Sequence, residues 1–204
     1  MNKRPRKHVV ITGTDREGTE LLVQLLTNLG LDTGFTSGTA MLGENGRARL
    51  ECNITNEAAP HIVKDPCFCD EAEQIIQRSD ITIERVFISM RDVYAAESGA
   101  VGKPPLLQRL KSKIKQSNVS GGSRNSRRRG VQEDVLFGEV YKLVLALSGA
   151  QIPVTLLQFP KLVKEPDYLY QKLKPILGTI AETQFQSVFD QIVKDSLKTA
   201  PQSP

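Results

Sequence analysis

The segment HVVITGTDREGT, residues 8–19, indicates the fold class most directly. It opens with a short run of apolar, β-branched residues, which is typical of a buried strand. The strand runs into a loop in which Gly13 and Gly18 stand five positions apart. Leucines at helical spacing follow over residues 18–29, and Gly30 ends the pattern. A strand, a glycine loop and a helix form the opening unit of an α/β domain.

The remaining chain repeats this alternation. Residues 31–60 are rich in loop-forming residues and predict at most one short helix. Strands are predicted over 61–64, 85–90 and 153–157, and helices over 70–78, 92–101, 131–147 and on either side of Gly178. This order predicts a three-layer α/β/α fold with a mainly parallel central sheet. Ligands of such sheets bind beyond the carboxyl ends of the strands, so the loops there are the candidate site.

Composition and length limit the class of protein. The 204 residues carry a net charge of +4 with a pI near 9.0, and they fit a single domain over 1–198 with a frayed tail at 199–204. Three cysteines are too few for a disulfide framework, and Cys67 and Cys69 are too isolated for a zinc site. The sequence shows neither a signal-peptide core nor a membrane span, so we expect a cytoplasmic protein. Because cysteines and histidines are so sparse, we also expect no bound metal.

Residues 102–130 form a basic segment with nine lysines and arginines and no acidic residue. It is either a flexible lid or contact for an anionic ligand, a nucleic-acid patch, or a solvated loop. The segment contains no aromatic residue that a base could stack on, which argues against nucleic acid.

The glycine loop predicts an anion site, because it turns backbone N–H groups and a helix N-terminus toward one point. Enzymes that hydrolyse ATP or GTP need Gly-Lys-Ser/Thr at its end, with the lysine for the outer phosphates. This chain has Gly18-Thr19-Glu20 instead, and its cation, Arg16, lies inside the loop. These residues disfavour an ATP-dependent P-loop kinase.

The loop resembles that of the sulfotransferase family, which often reads Gly-x-Gly-Arg-Ser-Gly-Thr-Thr. Arg91, which ends a predicted strand, and Ser98, in the helix after it, resemble the family's second donor element. The turn at 64–66, with Lys64 and Asp65 before a proline, is similar to one in related sulfotransferases. Together the motifs span residues 8–195 and are most similar to a bacterial branch of the family, whose fold is P-loop NTPase-like.

The resemblance implies transfer of a sulfuryl group from 3′-phosphoadenylyl sulfate to a hydroxyl or amine of a small molecule or glycan, in line and without metal. The product of the donor would be 3′,5′-adenosine bisphosphate. The residues implied to bind the donor are Gly13, Thr14, Arg16, Glu17, Gly18, Thr19, Arg91 and Ser98. Arg16 would stabilise charge on the leaving 5′-phosphate, and Lys64 and Asp65 complete the catalytic set. Asp65 would either accept the acceptor's proton or cap the turn before Pro66.

Three carboxylates depart from the family pattern: Asp15, Glu17 and Glu20. One such charge about 6 Å from a phosphate costs on the order of 2–3 kcal/mol at an effective dielectric near 20. The same residues suit the first turn of a helix through its dipole, if they face solvent. The alternative to an active enzyme is therefore a catalytically degenerate member of the fold that serves as a nucleotide-binding or interaction module.

Overall fold

The computed structural model describes residues 4–13, 18–37, 50–91 and 129–198, with the backbone alone for Arg91 and for residues 129–137 and 196–198. Four strands within these residues form one sheet, all parallel, in the order β2-β1-β3-β4. Their bounds are β1 Arg6–Gly13, β2 Ile62–Lys64, β3 Ile81–Arg91 and β4 Val154–Phe159. The predicted α/β class with a parallel sheet is confirmed.

Six helices connect or follow these strands in the described part of the chain. They are α1 Thr19–Asn28, α2 Phe68–Ile76, α3 Arg129–Gly149, α4 Lys161–Lys164, α5 Pro166–Leu177 and α6 Glu182–Lys198. The predicted helix at 92–101, the basic segment up to residue 128 and the tail at 199–204 lie outside the described residues. None of the described helices is long and apolar enough to cross a membrane.

Helices cover both faces of the sheet, and β1 shows this most clearly. Val9 and Ile11 belong to a core that also contains buried residues of α1, α5 and α6. Val10 belongs to a second core, which contains buried residues of α2 and α3. Because successive side chains of a strand point to opposite faces, β1 is buried from both sides, as its unbroken apolar run predicts.

Some predicted bounds were wrong. The strand expected at 85–90 begins already at Ile81, because Ile81 and Ile83 alternate with polar residues and are buried. The helix expected at 70–78 begins at Phe68, whose fully buried ring anchors its first turn. The short helix α4 was not predicted, since four residues carry no readable periodicity.

Candidate functional site

The carboxyl ends of the four strands lie at one edge of the sheet, because all the strands are parallel. After β1 the chain goes to β2 on one side, and it then crosses back to β3 on the other side. The winding therefore reverses at β1. In open α/β sheets, ligands bind in the crevice at such a reversal. The strand ends that flank this crevice are those of β1 at Gly13 and β3 at Arg91, which the sequence also selected.

Gly13 ends β1 where β1 and β3 approach closely. A Cβ atom at Gly13 would lie 2.8 Å from the backbone oxygen of Ser89, its neighbour in β3. No side chain fits at that distance, so glycine is required by the packing of the two strands. The next residues, Thr14, Asp15, Arg16 and Glu17, lie outside the described residues. Their predicted contacts with a donor stay predictions.

Gly18 marks the other end of the glycine loop, immediately before α1. Its φ is +80°, which L-residues other than glycine rarely adopt. A Cβ atom there would also lie 2.5 Å from Cδ1 of Leu162, a fully buried residue of α4. Gly18 is thus fixed by two constraints, its backbone conformation and the segment that follows β4. The sequence selected Gly18 by its spacing from Gly13 and indicated neither constraint.

The first turn of α1 carries Thr19 and Glu20. Thr19 is buried, with 8% of its surface exposed. The Glu20 side chain is 60% exposed, and its Oε1 lies 3.7 Å from Nζ of Lys64. Glu20 is therefore at the surface, as a residue favoured by the helix dipole would be, yet it also faces a cation. Both features reduce the repulsion that its charge would exert on an anion.

Lys64 is the last residue of β2, and its side chain is only 6% exposed. Its Nζ lies 3.4 Å from Oε1 of Glu51 in addition to its contact with Glu20. The strand therefore brings a buried ammonium group to the first turn of α1. The residue after Gly18, where P-loop enzymes carry their lysine, is threonine here. The neighbouring strand supplies a cation to the same region.

Asp65, directly after β2, is 3% exposed and bonded to backbone amides. Its Oδ1 accepts from the N–H of Cys67 and its Oδ2 from the N–H of Ile54, both at 3.0 Å. Burial raises the pKa of Asp65, although these amides act in the opposite direction. The bonds join the turn at 65–67 to the segment at 54. Asp65 was predicted either to accept a proton or to cap the turn, and these hydrogen bonds are those of a turn cap.

Arg91 ends β3 and pairs in register with Phe159 of β4. As predicted, the backbone of Arg91 lies at the carboxyl edge of the sheet, on the opposite side of β1 from β2. Its side chain and the whole of Ser98 lie outside the described residues. Their contacts with a 3′-phosphate therefore stay predictions.

All three cysteines lie around the turn that follows β2, and all are free thiols. Cys67 is exposed, whereas Cys52 and Cys69 are partly buried. Burial raises the pKa of all three thiols, with Asp65 contributing in each case. The neutral thiol form is therefore favoured. Within the described ranges, no group of three or more histidines, cysteines and carboxylates could hold a metal ion.

Glu51 is the site residue that the sequence did not reveal. It comes from the stretch at 31–60, in which no periodicity indicates which side chains face the sheet. No pattern in the sequence links this glutamate to Lys64, thirteen positions later. A weak indication was the isolated apolar pair Leu50 and Ile54, which flank it and are both buried.

No protein-family model, no curated protein and no solved structure matches this chain. The class of protein is defined by the sheet itself. It is an α/β protein with a parallel four-stranded sheet in the described residues, in which Gly13 ends the first strand and Gly18 precedes the first helix.

Proposed function

We propose that this chain is a P-loop-like sulfotransferase, which binds 3′-phosphoadenylyl sulfate at the carboxyl edge of its sheet. The proposal rests on one observation. At the edge where the winding reverses, the structure brings together the end of β1 at Gly13, Gly18 before α1, the buried Lys64 and the backbone end of β3 at Arg91. Crevices of this kind hold nucleotides, and the order of motifs resembles the sulfotransferase family.

In the proposed reaction the protein positions its two substrates and neutralises charge, by analogy with phosphoryl transfer. Arg16 and Thr19 hold the 5′-phosphate, and Arg91 and Ser98 hold the 3′-phosphate. The acceptor oxygen or nitrogen attacks sulfur while the bond from sulfur to the 5′-phosphate oxygen breaks, which releases 3′,5′-adenosine bisphosphate. Lys64 reduces the negative charge at this edge. Asp65 would take the acceptor's proton on an oxygen that already accepts a hydrogen bond from a backbone N–H.

The second candidate is a nucleotide-binding module without turnover. It is favoured by the state of the two residues at the end of β2. Lys64 is paired with carboxylates, and both oxygens of Asp65 accept backbone hydrogen bonds. Both side chains are therefore already engaged within the fold, as expected of a binding module in which neither takes part in chemistry.

Calorimetric titration with 3′,5′-adenosine bisphosphate tests the binding step, with adenosine 5′-monophosphate as the matched ligand. We expect the bisphosphate to bind about tenfold more tightly, because one charged fork from arginine to phosphate contributes about 1.5–3 kcal/mol. Arg91→Ala should remove this preference and leave the monophosphate affinity unchanged. Absence of binding at millimolar bisphosphate would contradict the proposal.

A second experiment separates an enzyme from a binding module. The protein is incubated with radiolabelled 3′-phosphoadenylyl sulfate and a mixture of phenols, alcohols, amines and glycans, and labelled products are resolved by chromatography. Label transferred to an acceptor, and lost in Arg16→Ala, supports sulfuryl transfer. Bisphosphate binding without transferred label supports the module.

A further inference from the structure

The ammonium group of Lys64 is fixed in the fold, and its two partners are not. The Lys64 side chain is 6% exposed, whereas those of Glu51 and Glu20 are 36% and 60% exposed. A buried ammonium without a partner costs several kcal/mol, so Lys64 must keep an anionic neighbour. A partly exposed carboxylate can turn into water at little cost. The carboxylates are therefore the exchangeable members of this group.

The backbone on both sides of Glu51 is anchored against β2 and the turn after it. Leu50 is buried, and the N–H of Cys52 donates to the carbonyl of Lys64 at 3.0 Å. Ile54 is fully buried and donates its N–H to Asp65. The side chain of Glu51 is thus delivered to Lys64 by a fixed backbone, unlike a chance surface ion pair.

The charges of this group do not balance. One ammonium stands beside two carboxylates, which leaves one negative charge in excess. An anion that approaches Lys64 is repelled unless a carboxylate moves aside. Glu51 makes the shorter contact: its Oε1 accepts a hydrogen bond from Nζ of Lys64 at 3.4 Å, whereas Oε1 of Glu20 lies 3.7 Å away.

We propose that Glu51 is an intramolecular competitor for Lys64, which lowers the affinity of this edge for anions until a sulfate or phosphate group displaces its carboxylate. This inference deepens the proposed function, on which it rests, because the displacing anion there is the sulfate or phosphate end of the donor. Glu51 acts through Lys64 and is a positioning residue. It contacts neither substrate nor reacting atom in this scheme.

A double-mutant cycle tests the proposal. Inorganic sulfate is titrated calorimetrically into the wild type, Glu51→Gln, Lys64→Met and the double variant. Glu51→Gln should tighten sulfate binding about fivefold, because a neutral amide competes less strongly than a partly screened carboxylate for the Lys64 ammonium. Lys64→Met should weaken binding, and Glu51→Gln should then change the affinity by less than about twofold, since coupling requires both partners.

Two controls accompany the cycle. Glu57→Gln makes the same charge change at an exposed position of the same segment and should leave sulfate affinity within about twofold, since exposed charges are screened. Lys64→Arg keeps the charge and should retain the gain from Glu51→Gln. Lys64→Gln, which also removes the positive charge, replaces Lys64→Met in the cycle if the methionine variant fails to fold.

The outcomes separate this proposal from the proposed function. The competitor role is overturned if Glu51→Gln leaves sulfate affinity unchanged or lowers it, if the same gain appears without Lys64, or if no variant binds sulfate. The same four proteins are then titrated with 3′,5′-adenosine bisphosphate. If sulfate shows the coupling while no protein binds the bisphosphate, the competitor role stands and the donor assignment fails.

Discussion

The ends of β1 and β2 lie side by side at one edge of the sheet, but different forces build them. The end of β1 is shaped by the absence of side chains: Gly13 and Gly18 allow backbone and a buried leucine to approach within less than 3 Å of where a Cβ would lie. The end of β2 is built from charge, with Lys64 and Asp65 buried and each satisfied by its own partners. A steric site and an electrostatic site should therefore respond to different perturbations.

The largest expected effect is steric. Gly18→Ala should destabilise the protein by about 3 kcal/mol, because a positive φ and a clash with Leu162 add together. Gly30→Ala is the matched control: its φ is +83°, and nothing lies within 4 Å of its would-be Cβ. It should cost only about 1 kcal/mol. Urea unfolding of both variants measures the difference, and equal losses would mean that the contact with Leu162 is unimportant.

The next effect concerns hydrogen bonding at the end of β2. Asp65→Ala leaves the N–H groups of Ile54 and Cys67 without their carboxylate and should cost about 2 kcal/mol. Asp70→Ala, an exposed acid in the first turn of α2, should cost about 0.5 kcal/mol through the helix dipole. Chemical denaturation compares the two. A loss for Asp65→Ala no larger than the control's would show that the turn does not depend on this carboxylate.

A third effect lies within β1 itself and depends on pH. His8 is 1% exposed, its Nδ1 lies 2.6 Å from the carbonyl oxygen of Pro60, and its buried Nε2 has no partner among the described residues. Burial lowers the pKa of His8. The unfolded chain therefore binds a proton more readily than the folded chain below the unfolded pKa of about 6.5. The contribution of the neutral His8 to the free energy of unfolding is fully present above that pH and is lost as the pH drops.

One proton limits the slope of this decline to about 1.4 kcal/mol per pH unit. Unfolding free energies of the wild type and His8→Gln, measured at about pH 7.5 and about pH 5.5, isolate the contribution of His8 because other groups cancel in the difference. His8→Gln should be less stable at the higher pH and should lose less on acidification. Parallel pH profiles for the two proteins would contradict this expectation.

The smallest effect on stability belongs to Lys64. Replacing a buried ion that sits against partly exposed counter-charges by an apolar side chain is often close to neutral, so Lys64→Met should change the unfolding free energy by less than about 1 kcal/mol. Thermal or urea unfolding checks this value. A loss of several kcal/mol would contradict this expectation, because it would show that the stability of the fold depends on Lys64.

The same contrast explains how much the sequence could predict. The apolar run that ends at Gly13 and the leucines of α1 are local patterns, so the first strand, the helix after it and the parallel α/β class followed from them. The sequence located the turn at Lys64 and Asp65 but did not indicate which residues contact it. Glu51 and Ile54 reach it from a segment without periodicity, and Leu162 reaches Gly18 from beyond β4. Contacts between such distant segments depend on packing, which no local pattern encodes.

The parallel strands also determine how this protein should be handled in the laboratory. β1 begins at Arg6 and has eight residues, so it carries the chain about 26 Å from one edge of the sheet to the other. An affinity tag placed before Arg6 therefore emerges at the edge opposite to Gly13 and Lys64. Anchoring the protein to a sensor surface through that tag leaves the candidate site facing solution.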